Sequence, residues 1–182
     1  MRPSNKTLIL DAAVAVIESD GITAVTFDSV AAAAGLTRAG IIYHYRSRDD
    51  LIRALHEHLA TDWEDQLIEA CGKPADEATQ LERLIAYIRV AANSASRAEI
   101  QMLIESRGTD NYRPWADVLE RWTLPTKDNP TAADDAAWSA QLAADGLWVN
   151  DAINQNALNT RQRAHLVDQI IERLKAAYAA TP

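Results

Sequence analysis

The sequence has little cysteine, phenylalanine, glycine or proline. Among 182 residues there is one cysteine, Cys71, and one phenylalanine, while glycine and proline number six each. A single cysteine excludes an intramolecular disulfide and a multi-thiolate metal site, and it is typical of a protein in a reducing cytoplasm. So few glycines and prolines leave few residues for the many tight turns that an all-β fold needs.

Long apolar runs are also missing. The first residues, MRPSNKTLILDAA, lack the apolar core of a signal peptide. No uncharged apolar run approaches the ~20 residues of a membrane span. Apolar residues (48%) and charged residues (24%) are as frequent as in ordinary globular proteins. The sequence therefore predicts a soluble, cytoplasmic protein, and its many alanines favour helix.

The net charge of −8 is unevenly distributed along the chain. Residues 1–53 hold six basic and six acidic side chains, so the whole excess of acid lies in residues 54–182. Charges separated by more than a Debye length, about 8 Å in physiological salt, interact weakly. The acidic balance thus leaves DNA binding by the first third of the chain possible and predicts weak non-specific affinity.

Apolar residues recur at helical spacing along the whole chain, which predicts an all-α fold. Thr26 and Thr37 suit helix N-caps, and Gly35 suits the left-handed position after a helix end. The pattern predicts nine helices at about 4–20, 26–34, 37–43, 48–70, 76–94, 97–106, 114–122, 131–155 and 160–178.

The segments 26–34 and 37–43, joined by a short turn that contains Gly35, have the proportions of a helix-turn-helix. The first four residues of the second segment have small side chains apart from one arginine: Thr37, Arg38, Ala39 and Gly40. Small residues let a backbone approach the floor of a major groove, where Arg38 can donate two hydrogen bonds to guanine. Tyr43 and His44 offer donors for phosphate oxygens. An ordinary helical corner is the alternative.

These residues also resemble a family. The runs TFDSVAAAAGLT (26–37), GIIYHY (40–45) and SRDDL (47–51) resemble the N-terminal signature of TetR-type repressors, and the resemblance as a whole covers near a quarter of the chain. The stretches GLTRAGIIYHYRSRDDLI and QLAADGLWVND are most similar to multidrug-responsive members of that family. Two positions depart from the signature: Arg48 replaces the usual lysine, and Ala39 stands where glycine is common.

The resemblance implies a homodimer that places two recognition helices in successive major grooves of a near-palindromic operator, roughly 34–36 Å apart. It implies a DNA-binding domain at 1–47 and a ligand-binding and dimerisation domain at 48–182. A ligand would act by shifting the helix 48–70, and an efflux transporter would be the regulated gene. The DNA-binding residues that it implies are Thr26, Thr37, Arg38, Ala39, Gly40, Tyr43, His44 and Arg48.

All five tryptophans lie beyond residue 60, in the region where the family holds its ligand. On a helix, Asp145 shares a stripe with Trp138, Leu142 and Trp148. A carboxylate on an apolar face needs a partner, and aromatic neighbours suit an organic cation. The alternatives are that the tryptophans fill a core and that Asp145 bonds a neighbouring helix. The candidate ligand residues are Trp63, Leu67, Ile88, Met102, Trp115, Trp122, Leu142, Asp145 and Trp148.

The resemblance also implies a four-helix dimer interface. Its candidates are small residues on the helix 131–155 and apolar residues on the last helix, with packing inside one chain as the alternative. The interface candidates are Ala136, Ala140, Ala144, Leu166, Ile170 and Leu174.

An enzyme is a poor interpretation, because none of the motifs HExxH, GxSxG and GxxxxGK occurs. The sequence predicts no catalytic residue, metal site or cofactor. Two further alternatives stay open: a helical ligand-binding protein without DNA function, and a DNA-binding protein that responds to another ligand class, such as an acyl-CoA or a natural product.

Overall fold

The computed structural model describes residues 4–92, 96–153 and 158–180, with side chains up to residue 150 in the second range. Within these ranges the chain forms nine α-helices and no strand, as predicted, and no helix there is long and apolar enough to cross a membrane. The helices are α1 Asn5–Asp20, α2 Phe27–Ala34, α3 Arg38–His44, α4 Arg48–Cys71, α5 Gln80–Ala91, α6 Arg97–Ser106, α7 Arg113–Trp122, α8 Ala132–Ile153 and α9 Thr160–Ala179.

One predicted boundary is wrong, and two short elements were missed. Helix α5 begins at Gln80 rather than 76, because Thr79 and Glu82 form a capping box in which each side chain accepts the other's backbone N–H. The missed elements are the 3₁₀ turns Ile22–Ala24 and Asp110–Tyr112. The predicted end of this helix, at 94, lies outside the described residues.

The chain divides into two compact units, and the division differs from the predicted boundary at 47/48. Unit 1 comprises Met1–Asp62 and Ser96–Trp115, and unit 2 comprises Trp63–Ala95 and Ala116–Pro182. Helix α4 is continuous and contributes residues to both units.

Unit 1 is built around α1, which packs against α2 and α6, while α2 packs against α3. Helix α6 joins this unit through polar contacts with α1 and the turn that follows it. The Glu18 carboxylate accepts the backbone N–H of Ala98 (2.7 Å), and the Gln101 side chain accepts that of Ile22 (3.2 Å). These bonds explain why a segment distant in sequence belongs with the first three helices.

Arg48, the first residue of α4, ties that helix to the 3₁₀ turn between α1 and α2. Its Nε donates to the carbonyl oxygen of Val25 (2.9 Å) and its Nη2 to that of Ile22 (3.0 Å). The preceding Ser47 caps the helix by accepting the N–H of Asp50 (3.0 Å). The start of α4 is therefore fixed to the element that leads into α2.

Unit 2 packs α5 against α8 and α9, which also pack against each other. Leu84 and Ile88 of α5 are fully buried, as are Ala137 and Ala144 of α8. Alanines on the buried side of α8 let its backbone approach its neighbours closely. The buried alanines of α8 therefore serve packing inside the chain.

We expect Arg48→Met to lower the free energy of unfolding by about 1–2 kcal/mol, since it removes two hydrogen bonds from a charged donor. Arg46→Met is the matched control, because it removes the same charge from an exposed side chain two residues away. Urea unfolding followed by circular dichroism measures both. Equal losses in the two variants would contradict the role assigned to Arg48.

Candidate nucleic-acid interface and ligand site

Local cap chemistry sets the turn between α2 and α3. Thr26 caps α2 and forms a capping box with Ser29. Gly35 closes α2 in the left-handed region (φ 64°), and the next residue, Leu36, donates its N–H to the carbonyl of Ala31 (2.9 Å). Thr37 caps α3 by accepting the N–H of Gly40 (3.1 Å). These short-range bonds fix the direction in which α3 leaves α2.

The outer face of α3 carries most of the residues predicted to contact DNA. Arg38 and Ala39 are exposed, and Gly40 is half-buried. Tyr43 is 84% exposed, which is unusual for a large aromatic side chain. The His44 ring meets it edge-on, with 5.1 Å between the ring centroids. Small residues at one end and a projecting phenol at the other are the surface that a groove-reading helix needs.

Two arginines predicted to contact DNA have partners within unit 1. Arg38 Nε lies 3.4 Å from Asp28 Oδ1 of α2, in an ion pair whose side chains are 60% and 77% exposed. The guanidinium of Arg48 holds the two carbonyl oxygens described above, so Arg48 positions the helix-turn-helix. The phosphate contact predicted for Arg48, through its remaining N–H groups, stays a prediction.

In unit 2 the candidate ligand residue Asp145 lies on the inner side of α8. Its Oδ1 accepts a 2.6 Å hydrogen bond from the phenol of Tyr87 on α5, which is 4% exposed. The ring of Trp63 meets Tyr87 edge-on, with centroids 5.9 Å apart. Burial raises the pKa of Asp145, and the Tyr87 hydrogen bond offsets part of that rise. Trp63, Tyr87 and Asp145 form what we call the aromatic–carboxylate cluster.

No basic side chain among the described residues is paired with Asp145. Burial and the nearby carboxylate raise the pKa of Tyr87 well above its ordinary value, so the phenol stays a donor at neutral pH. The cluster therefore places a half-buried carboxylate, bonded to Tyr87, beside an aromatic pair. The predicted alternative of a bond to a neighbouring helix is present here as well.

Tyr87 was missed in the sequence, although a signal for it existed. It lies on the apolar face of α5 beside Leu84 and Ile88, and a tyrosine at a buried position needs a partner for its hydroxyl. Asp145 lies 58 residues further along the chain. No residue close to Tyr87 in the sequence indicates that partner.

The other candidate ligand residues fall in both units and stay predictions. Met102 and Trp115 are buried in unit 1, and Leu142 is 69% exposed, which argues against a place for Leu142 in an enclosed site. Leu142 is exposed because α8 buries its alanine face and turns the neighbouring stripe outward. Leu67, Ile88 and Trp122 are buried in unit 2, and Trp148 is half-buried.

Two of the tryptophans use their indole N–H groups on fixed partners, as a core role requires. Trp115 donates to His56 Nδ1 (3.0 Å), and Trp122 donates to Glu64 Oε1 (3.2 Å). His56 is 1% exposed, and burial lowers its pKa to about 4. The imidazole is therefore neutral at pH 7, with its proton on Nε2.

A single chain already buries three of the residues predicted for the dimer interface, so Ala140, Ala144 and Leu174 need correction. Ala136 and Ile170 are half-buried and Leu166 is exposed, and these three stay predictions. Among the described side chains of α8 and α9, the exposed large apolar ones are Leu142, Val149 and Leu166.

We expect Asp145→Asn to raise the free energy of unfolding at pH 7, because it removes a poorly solvated charge while its amide oxygen still accepts from Tyr87. The folded protein raises the pKa of Asp145, so the folded state holds the proton to a higher pH than the unfolded chain does. The gain should therefore fade as the pH falls through the folded-state pKa toward the ordinary value of 3.8.

Asp135→Asn is the matched control, since Asp135 is an exposed aspartate of the same helix. Urea unfolding at several pH values measures both variants. A loss of stability at pH 7 in Asp145→Asn, larger than that of the control, would show that the carboxylate is a structural support.

Comparisons with known proteins agree with this architecture. The model of the family described as "Bacterial regulatory proteins, tetR family" matches residues 9–55. That of the "Tetracyclin repressor-like, C-terminal domain" matches residues 81–175, more than half of the chain. The chain is 24% identical to the HTH-type transcriptional regulator BetI of Brucella anthropi, over 94% of this chain and 93% of that protein.

Solved structures share the fold at lower identity. A transcriptional regulator from Saccharomonospora viridis in complex with choline has a TM-score of 0.69 at 18% identity, covering 92% of this chain and 95% of that one. The multidrug binding protein EbrR complexed with malachite green has a TM-score of 0.60 at 17% identity, covering 92% and 98%. These likenesses show the fold alone, and the special similarity to multidrug-responsive members is not confirmed.

The family models match both the helix-turn-helix and the C-terminal helices, and the matched families consist of regulators rather than enzymes. The chain belongs to the TetR family and is a DNA-binding transcriptional regulator with a ligand-binding domain.

Proposed function

We propose that this regulator represses transcription as a homodimer on a near-palindromic operator and leaves the operator when it binds a small organic cation. The observation that carries the ligand class is the aromatic–carboxylate cluster: Asp145 is half-buried, bonded to Tyr87 and without a basic partner among the described residues. Such a repressor acts in the cytoplasm, where its DNA is.

The DNA-binding surface in this proposal is α3 with the start of α2. Thr37, Arg38, Ala39 and Gly40 face the bases, and the Arg38 guanidinium donates to a guanine edge. Tyr43, His44 and Thr26 contact phosphates from either end of the hairpin. The exposure of Tyr43 and Arg38 supports these assignments.

The second copy of the chain binds the outer face of α8 and α9. Leu142, Val149 and Leu166 are exposed there, and exposed large apolar side chains on adjoining helices support an interaction surface. Ala143 and Gly146 of α8 are exposed between them and permit close helix packing. This face replaces the buried alanines that the sequence suggested.

The ligand is a cation because the cluster is negative and aromatic. Aromatic faces attract cations, most strongly where water is excluded. Choline and malachite green, found in the two fold neighbours, are both organic cations. An acyl-CoA carries several negative charges, which the Asp145 carboxylate would repel. We propose no target gene: control of an efflux transporter is not confirmed, and the curated relatives are BetI regulators.

The signal passes along α4. Trp63 of the cluster and Arg48, which holds the turn before α2, belong to this one continuous helix. A ligand that favours one position of α4 therefore favours one position of the helix-turn-helix. It shifts the equilibrium only by its difference in affinity for the two states.

We expect Arg38→Ala to lose roughly 1–3 kcal/mol of operator binding and to relax the preference at one base pair. Arg173→Ala on α9 removes an exposed arginine of unit 2 and should leave the operator affinity unchanged. Fluorescence anisotropy with the duplex upstream of its own gene and with single-base variants measures both. If Arg38→Ala weakens all sequences equally, Arg38 is a phosphate contact.

We expect choline or malachite green to weaken operator binding by the wild-type protein, and an acyl-CoA to leave it unchanged. Asp145→Asn should abolish the cation response while keeping operator affinity, and Asp135→Asn should keep both. The same anisotropy assay, with each compound titrated at about 0.15 M salt, measures the effect. Full release of Asp145→Asn from DNA by the cation would place the ligand elsewhere.

A further inference from the structure

An exposed ion pair joins Asp28 to Arg38 on the surface of the helix-turn-helix. Asp28 is in the first turn of α2 and Arg38 is the first residue of α3, so the pair bridges the two helices of the hairpin. Both side chains are well exposed, at 77% and 60%. An exposed ion pair adds little to stability, at most about 1 kcal/mol. Stability alone therefore gives little reason for a carboxylate on a DNA-facing surface.

The geometry of the pair matters more than its energy. Asp28 Oδ1 meets Arg38 at Nε, 3.4 Å away. The Nη1 and Nη2 edge of a guanidinium lies opposite Nε, and this edge can donate end-on to O6 and N7 of guanine. Contact at Nε occupies the side of the guanidinium and leaves the end-on edge available to a base.

We infer that Asp28 is a positioning residue that sets base specificity through Arg38. It holds the guanidinium in the orientation for end-on guanine recognition. Its negative charge is repelled by the phosphates, which opposes binding to sites where no guanine hydrogen bonds offset that repulsion. Without Asp28 the arginine would turn to the nearest phosphate, which every sequence offers. This inference rests on the proposed DNA-binding function, in which Arg38 reads a base.

The chain offers a matched control for the charge of Asp28. Asp49 is also an exposed aspartate in the first turn of a helix of unit 1, here α4, and it has no contact with Arg38. Asp28→Asn and Asp49→Asn each remove one negative charge and one favourable interaction with a helix N-terminus. Both should raise affinity for any duplex, because repulsion from phosphates falls. Only Asp28→Asn should change which base is preferred.

The test begins with a duplex that the wild-type protein selects from a random-sequence pool. Anisotropy then gives affinities for that duplex and for single-base variants, for wild-type protein, Asp28→Asn, Asp28→Glu, Asp49→Asn, Arg38→Ala and the double variant Asp28→Asn with Arg38→Ala. Thermal unfolding shows that each variant is folded. The readout is the affinity ratio between guanine and the other bases at the position where Arg38→Ala loses its preference.

We expect Asp28→Asn to lower that ratio about five- to tenfold, within the discrimination that one bidentate arginine supplies. Asp28→Glu should keep most of the ratio, and Asp49→Asn should keep all of it. In the Arg38→Ala background, Asp28→Asn should leave the ratio unchanged, because nothing remains to be positioned.

The inference is overturned if Asp28→Asn and Asp49→Asn change the ratio equally, or if Asp28→Asn still lowers it when Arg38 is alanine. Either result can occur with a wild-type protein that binds its selected duplex tightly, so the proposed function then stands. If the wild-type protein enriches no sequence from the pool, the proposed function and this inference both fail.

Discussion

The attachment of α4 to the helix-turn-helix depends on the two hydrogen bonds from the Arg48 guanidinium to the carbonyl oxygens of Ile22 and Val25. They attach the first turn of α4 to the element that leads into α2, and α2 sets the direction of α3 through Gly35. Helix α4 runs on without a break into unit 2, so in the proposed function its first residue is where a movement of this helix reaches the helix-turn-helix. The guanidinium suits this role, since it directs two N–H groups from one plane to two acceptors.

The hydrogen bonds of Arg48 stabilise the fold, whereas the carboxylate of the aromatic–carboxylate cluster lowers its stability. Partial burial raises the pKa of Asp145, and the phenol of Tyr87 donates one hydrogen bond to its Oδ1. Replacing a buried charge by an apolar residue is often neutral or stabilising. In the proposed function a bound cation completes the site, and the cost of the carboxylate to stability is the cost of a preformed ligand site.

Cap chemistry and helical periodicity were enough to predict the fold. The caps at Thr26 and Thr37 and the left-handed Gly35 depend on neighbours within four residues, which a sequence displays directly. The ligand site was less accessible. Its central bond joins side chains 58 residues apart, and periodicity alone places Leu142 and Asp145 on one stripe of α8 without showing where the buried face ends. The partners of Arg48, 23 and 26 residues away, were hidden for the same reason.

Thermodynamic linkage tests the coupling between the cluster and the operator most directly. Isothermal titration calorimetry gives the affinity of the wild-type protein for choline and malachite green, first alone and then with saturating operator duplex. If the cation and the operator favour different positions of α4, the operator must weaken cation binding by the same factor by which the cation weakens operator binding. We therefore expect the operator duplex to weaken cation binding. A cation affinity that is the same with and without operator would contradict the proposed coupling.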